Sequence, residues 1–368
     1  MVRGRIRLFL VTLVFLVLLT GCALASQPSS GSTKVIFGFG GGHPSQSQTA
    51  FFVAKELGYW EEEGLDTQFE WSSGSSQAIQ LLGAGQIDLT TSNHDALIFA
   101  VHRGAKLKAV FQLHTKCEFV FAVPQGSPIT TIEDLKGKKI GISALSSGFV
   151  PYSKAAFFEA GMDHEKDLNL IEVGAGATAA TAITTGQVDV LGLWEVAFAN
   201  LEITLGKDYF RFIKPPIYDR LACNALVVSD NFIKNNPNAL TAVLRGVAKG
   251  ILFMQTNPEA AVAIFFKNVP EAKPQGKDDE TILKEALHTA VSEILQCSNM
   301  NRPQQNPNGL WGFLVESEFT EAQDVHYRMG SLEQKLSIDE FMTNQFVEGI
   351  NDFDSEAIIK QAKEFKFD

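Results

Sequence analysis

Cysteine is scarce in this chain: four in 368 residues, at positions 22, 117, 223 and 297. No two stand in a Cys-x-x-Cys spacing, so neither a zinc ribbon nor a thioredoxin-like redox pair has a sequence basis. Positive charge is also short. Lys and Arg number 31 against 42 Asp and Glu, a formal charge of −11. That balance argues against a nucleic-acid binder, which rewards basic patches. No Gly-x-Ser-x-Gly elbow or Ser–His–Asp arrangement is present. The run Gly38-Phe39-Gly40-Gly41-Gly42-His43 has His where a dinucleotide fingerprint needs its third Gly, and no Gly-Lys-Ser/Thr completes a phosphate loop. The N-terminal apolar run, Leu8 to Leu19, is about twelve residues and falls short of the ~20 that span a bilayer.

What that run does have is flanks. Arg3, Arg5 and Arg7 precede it, and Leu19-Thr20-Gly21-Cys22 ends it, the order of an export signal with a bacterial lipobox. In that pattern the chain is cut before Cys22, and the new N-terminus carries lipid. The alternatives are an uncleaved anchor helix or cleavage in the stretch Ala23 to Ala25. The lipobox reading makes residues 1–21 a signal peptide. It makes the small, polar residues 22–32 a flexible tether and places the folded part outside the cytoplasm, in the periplasm or on the outer cell surface, lipid-anchored to the membrane. Losing three arginines takes the charge from −11 to −14. Three cysteines then remain, which leaves at least one free thiol and room for one disulfide at most.

The remaining length suffices for two domains of ordinary size. Short β-rich runs alternate with helical stretches. Lys34–Phe39, Leu65–Trp71, Ile87–Thr91 and Lys106–Leu113 read as strands; Ser47–Leu57, Ser75–Ala84 and Asp95–Arg103 read as helices. A second series follows, with strands at Phe119–Val123, Lys139–Ser143, Asn169–Val173 and Val188–Leu193. Its helices are Thr131–Leu135, Tyr152–Ala160 and Ala177–Thr185. This order predicts an α/β fold with mainly parallel sheets. The two series share a phrase, Gly85-Gln86-Ile87-Asp88-Leu89 against Gly186-Gln187-Val188-Asp189-Val190: a helix stops at a Gly and a strand returns parallel. After a further strand, Asn224–Ser229, the C-terminal region reads as helical, over 237–255, 258–266, 278–295, 320–329, 338–348 and 355–363. The Asn/Pro/Gln-rich segment 298–309 reads as a loop.

Four phrases carry a family resemblance. Ala54-Lys55-Glu56-Leu57-Gly58-Tyr59-Trp60-Glu61-Glu62-Glu63-Gly64-Leu65 comes first, then Asp134-Leu135-Lys136-Gly137-Lys138-Lys139-Ile140-Gly141. Gly186-Gln187-Val188-Asp189-Val190 with Trp194-Glu195 follows, and Ser337-Ile338-Asp339-Glu340-Phe341 is last. In this order they resemble solute-binding proteins of ABC importers, in the branch named for nitrate, sulfonate, taurine and the thiamine pyrimidine precursor. Val196 stands where that family usually has Pro. The resemblance covers roughly 33–350 and implies a type II periplasmic-binding fold: two lobes joined by two crossover strands, ligand in the cleft and no catalysis. Candidate crossovers are Phe119–Val123 and Asn224–Val228. Lobe 1 then comprises 33–118 with 224–368, and lobe 2 comprises 119–223. Crossovers running in opposite directions would put Cys117 and Cys223 near opposite ends, which disfavours a disulfide between them; the alternative is two small buried side chains.

In open α/β sheets ligands collect beyond the carboxyl ends of the strands. Gly41, Gly42 and His43 follow the first strand, as a close backbone approach to a bound molecule or as a plain turn. Ser73 and Ser75, like Ser146 and Ser147, precede helices, which their hydroxyls can cap while the free N–H groups hold an anionic oxygen. Asn93 and His94 follow the third strand, and Thr178 lies in a lobe 2 loop. Trp71, Phe149, Tyr152 and Trp194 can stack on a flat ligand or fill the core; Trp194 is preferred, because Glu195 beside it can accept from an N–H or hydroxyl or face a cation. No Arg falls in these loops, which shifts the expectation from a strongly anionic ligand, sulfonate or nitrate, toward a neutral or heteroaromatic one. A second reading is a metal receptor, with His43, His94 and His114 converging on Zn²⁺; a third is an enzyme like the eukaryotic branch that makes the thiamine pyrimidine. The preferred reading needs no cofactor and expects a monomer whose partners are a small-molecule ligand and ABC permease subunits in the membrane.

Overall fold

The computed structural model describes residues 32–221, 223–273, 277–297 and 304–366. The expected signal peptide, the expected lipidation site Cys22 and nearly all of the expected tether fall outside them, as do residues 298–303 of the expected loop. Ten strands build two sheets. The chain runs through β1 (Thr33–Gly40), β2 (Leu65–Ser72), β3 (Leu89–Asn93) and β4 (Leu107–Gln112). It continues with β5 (Phe119–Pro124), β6 (Lys139–Ile142), β7 (Asn169–Glu172), β8 (Val190–Trp194) and β9 (Phe210–Ile213), and returns with β10 (Asn224–Ser229). The first sheet has the order β2-β1-β3-β10-β4 and the second β7-β6-β8-β5-β9. In each, one strand runs against the others: β10 between β3 and β4, and β5 between β8 and β9. Those two strands are the crossover candidates. Each enters the sheet of the lobe in which the chain has just arrived.

The repeated Gly-Gln-x-Asp phrase has a structural cause. Gly85 and Gly186 end their helices at φ of 70° and 72°, a left-handed conformation that glycine adopts without penalty. The carboxylate of Asp88 accepts the Ile36 N–H at 2.8 Å, and that of Asp189 accepts the Lys139 N–H at 2.9 Å. Their own N–H groups donate to the carbonyls of Ile36 and Lys139, both at 2.9 Å. The Asp therefore staples the incoming strand to its parallel neighbour, β1 in the first sheet and β6 in the second, twice over.

The largest apolar core covers one face of the first sheet. Val35, Phe37 and Phe39 alternate inward from β1 against the helices Thr49–Glu56 and Pro237–Thr256. Trp60, from the first family phrase, lies in this core and donates its indole N–H to the Val243 carbonyl at 2.9 Å. Gly246 on the same long helix makes room for it, since a Cβ there would stand 2.2 Å from the indole nitrogen.

Several expectations are corrected. The helix expected over 338–348 is a short turn, Ile338–Glu340, and a later one, Val347–Ile350. Between them the Phe341 carbonyl accepts from Ala109 N–H and Thr343 N–H donates back to Ala109, so pairing with β4 overrides helical propensity. The helix Glu195–Leu205 and strand β9 were not foreseen in the sequence. The passages between sheets are short. Cys117 stands two residues before β5 and Cys223 one before β10, and their sulfurs lie 3.3 Å apart, both buried and both free, rather than at opposite ends.

The lobes also meet at the rim of the cleft. Ser73 and Ser146 share a hydroxyl–hydroxyl bond of 3.1 Å. Gly74 and Gly148 permit this approach: a Cβ on Gly74 would stand 2.5 Å from the Ser146 carbonyl oxygen, and one on Gly148 1.6 Å from the Asn93 amide oxygen. Gly74 has an extended backbone, φ 173°, that any residue adopts. Gly74→Ala is therefore expected to fold normally yet hold the lobes apart, read as a larger radius of gyration in small-angle scattering than wild type; identical profiles would show that this contact does not set the lobe spacing. Burial raises the Cys223 thiol well above its ordinary pKa. Cys117, Cys223 and Cys297 are expected to resist iodoacetamide in the native protein at mildly alkaline pH and to react once it is unfolded. Rapid native labelling of Cys117 or Cys223 would show that the passages open in solution.

Candidate functional site

The carboxyl ends of the strands in both sheets face a shared cavity of about 520 Å³. Its floor is a chain of hydrogen bonds where the backbone passes between lobes. Ser75 Oγ donates to Asn93 Oδ1 at 2.7 Å, and Asn93 Nδ2 to Asn224 Oδ1 at 3.1 Å. Asn224 Nδ2 donates to Glu118 Oε1 at 2.7 Å, and Glu118 Oε2 lies 3.1 Å from His114 Nδ1. On its other side His114 Nε2 is 3.1 Å from Glu293 Oε1. Burial works against charge on His114, but Glu293 and Glu118 outweigh it and raise its pKa well above the ordinary value.

Of the expected ligand contacts, Gly41, His43, Ser73, Ser75, Asn93, Ser147 and Trp194 line the cavity. Gly42 is exposed beside it, and its N–H, like that of Gly41, closes the turn onto the Ser72 carbonyl. Ser146 sits at the rim, against Ser73. Phe149 and Tyr152 are core: the helix Phe149–Glu159 starts earlier than the pattern indicated and buries both against Phe119. Trp71 packs in an aromatic cluster with Phe39 and Phe69, outside the cavity lining. His94 is buried, stacked on Phe319 and bonded to Gln112. Thr178 borders a separate shallow pocket beside Glu172 and Gln187. Glu195 begins the helix after Trp194; its N–H donates to the Glu118 carbonyl, and it is not among the lining residues.

His43, His94 and His114 do not converge. Among the described residues, the group with metal-ligand spacing is His114, Glu293 and Cys297. Sequence reading missed Glu118, Asn224 and Asn200, which all line the cavity. Glu118 had a signal: an acid set between the apolar residues Cys117 and Phe119.

Among the described residues, no Lys or Arg side chain borders the cavity. Positive potential comes from backbone instead. The helices Ser75–Gly83, Phe149–Glu159, Ala177–Thr184 and Glu195–Leu205 all begin at its edge, through Ser75, Gly148, Gly176 and Trp194. The site offers polar N–H groups, one carboxylate paired with a histidine, and the half-buried Trp194 ring, a donor set suited to a flat, hydrogen-bonding molecule.

Similarity to known proteins agrees with this architecture. The family model for NMT1/THI5-like proteins matches residues 45–261. A riboflavin-binding protein of Chloroflexus aurantiacus is 22% identical over 313 residues, 83% of this chain and 84% of its own length. A formylaminopyrimidine-binding protein of Halalkalibacterium halodurans is 26% identical over 280 residues, 73% and 78% of the two chains. A 4-amino-5-hydroxymethyl-2-methylpyrimidine phosphate synthase of Saccharomyces cerevisiae is 25% identical over 249 residues, 64% and 70%. Among solved structures, the alkanesulfonate-binding protein of Xanthomonas axonopodis pv. citri superposes with a TM-score of 0.62 at 15% identity, over 86% of this chain and all of that one. The periplasmic nitrate-binding protein of Synechocystis PCC 6803 gives 0.62 at 13% identity, over 91% and 99%. At such identities the structures establish the fold, and the model match, over more than half of the sequence, establishes the family: this chain is a member of the NMT1/THI5-like family with a periplasmic-binding-protein fold.

Proposed function

We propose that this protein is the solute receptor of an ABC importer, lipid-anchored through Cys22 outside the cytoplasm, and that it captures a neutral heteroaromatic molecule between its lobes without transforming it. The observation that carries the ligand class is the cavity lining, which among the described residues has Trp194 and several backbone amides at helix starts but no Lys or Arg. A buried sulfonate or nitrate would keep its charge there against a Glu118 carboxylate with no fixed cation beyond His114. A flavin or aminopyrimidine instead presents flat area to the indole and ring nitrogens and carbonyls to the amides. The riboflavin- and formylaminopyrimidine-binding relatives support this choice. Ligand contacts with both lobes would stabilise the closed form, and that form would dock on the permease.

Thermal shift of the protein against riboflavin, aminopyrimidines, alkanesulfonates, taurine and nitrate tests the reading. Stabilisation by a heteroaromatic member is expected; stabilisation by a sulfonate or nitrate alone would overturn the ligand class. Trp194→Ala should weaken binding of the stabilising compound by about tenfold or more, measured by titration calorimetry, and undiminished affinity would remove the ring from the site. Turnover of any compound would replace the receptor with an enzyme. Cys22→Ser should abolish incorporation of labelled fatty acid in cells; persistent label would overturn the anchor.

A further inference from the structure

Beyond the cleft, the cluster behind His114 has a chemistry that solute capture does not use. Glu293 and Cys297 stand one turn apart on the helix Asp279–Gln296 and at its C-terminal cap, and both are buried. His114 reaches them from the passage between lobes. The Nε2 of His114 lies 3.1 Å from Glu293 Oε1, and Cys297 Sγ lies 3.3 Å from the same oxygen. The three donor atoms are all within 4.8 Å of one another. Glu293 Oε2 is buried with no hydrogen-bond partner, a carboxylate oxygen left unsatisfied beside a nitrogen and a sulfur.

We propose that His114 Nε2, a Glu293 carboxylate oxygen and Cys297 Sγ form a buried site for a divalent transition metal of the Zn²⁺ class, clipping the helix Asp279–Gln296 to the passage between the lobes. Mixed nitrogen, oxygen and sulfur donors suit that ion. Tetrahedral coordination at ordinary Zn–N, Zn–O and Zn–S lengths sets donor–donor edges of roughly 3.3–3.6 Å. The observed 3.1 and 3.3 Å need only a few tenths of an ångström of expansion. The surroundings are built for it. Glu118 holds the Nδ1 side of His114 at 3.1 Å and is itself held by Asn224 at 2.7 Å, so Nε2 is aimed at the other two donors. This site is distinct from the three-histidine arrangement, which the fold does not assemble, and it stands whether or not the cleft takes a heteroaromatic ligand.

The test is a Co²⁺ titration of the full-length protein in detergent, followed in the near ultraviolet for the thiolate-to-cobalt charge-transfer band, with circular dichroism as the control for folding. One equivalent should produce the band, and Zn²⁺ should abolish it by displacement and raise Tm. Cys297→Ser should remove the band, and Glu293→Gln should weaken Co²⁺ binding by about tenfold or more. No band in the wild-type protein at excess Co²⁺ would overturn the site, whatever the variants do, and leave a purely structural Glu–His–Glu cluster. A band retained in folded Cys297→Ser would do the same, by assigning the thiolate to Cys117 or Cys223.

Discussion

The arrangement of both lobes turns on how Glu118 and Asn224 are satisfied. Each stands where the chain leaves one sheet for the other, and the buried Glu118 would be costly alone. They bond to one another at 2.7 Å, and Asn224 is held in turn by Asn93 from the end of β3. The Leu113 and His114 N–H groups both donate to the Asn224 carbonyl at 3.0 Å, tying the end of the first sheet to the returning strand. Two short passages are thereby fixed side by side with few rotatable links between them. Breaking one partner strands the others, so the cluster fixes both the join between the sheets and the polar groups on the cavity floor.

At the front of the cleft the direct contact is slight by comparison. At the front rim the lobes share the Ser73–Ser146 bond and the glycine contacts beside it. An exposed hydroxyl pair contributes on the order of 1 kcal/mol at most, which is far less than a stably closed apo form needs. A molecule in the cavity that touched Ser75 and Asn93 on one side and Trp194 on the other would favour the shut form, because such contacts could exist with both lobes only when they are shut.

Scaffold was far more legible in the sequence than site, and particular residues show why. The Gly-Gln-x-Asp repeat announces a helix stop and a strand staple using only local chemistry, so Asp88 and Asp189 could be placed in parallel roles from sequence. The first family phrase likewise encodes packing, with Trp60 locked under Val243. Site residues lack such periodicity. Phe149 and Tyr152 sit on a helix whose full start was hidden by a Gly-Phe-Val-Pro opening, and burial took both away from the cleft. Glu118 and Asn224 act through partners over a hundred residues away, a separation no window can bridge. The missed helix Glu195–Leu205 is apolar on most of its circumference and gives a weak amphipathic signal.

That missed helix bears on how the lobes move. By chain order the helix Asp279–Gln296 belongs with the first sheet, yet its His288 Nε2 lies 2.9 Å from Glu202 Oε2, and Thr289 Oγ1 donates to Asn200 at 3.1 Å, both on the second-lobe helix. Asn200 lines the cavity. Behind the hinge, Arg220 and Arg328 share Glu159 at 3.3 and 2.6 Å, a second tie between the C-terminal helices and the second lobe. The Arg–Glu159 pairs are partly exposed, each worth roughly 0–1 kcal/mol, whereas the Thr289 hydroxyl that meets Asn200 is buried. The His114–Glu293 contact is buried and cannot part so cheaply. The Asp279–Gln296 helix is thus joined both to the passage between lobes, through His114, and to the second lobe, through His288 and Thr289.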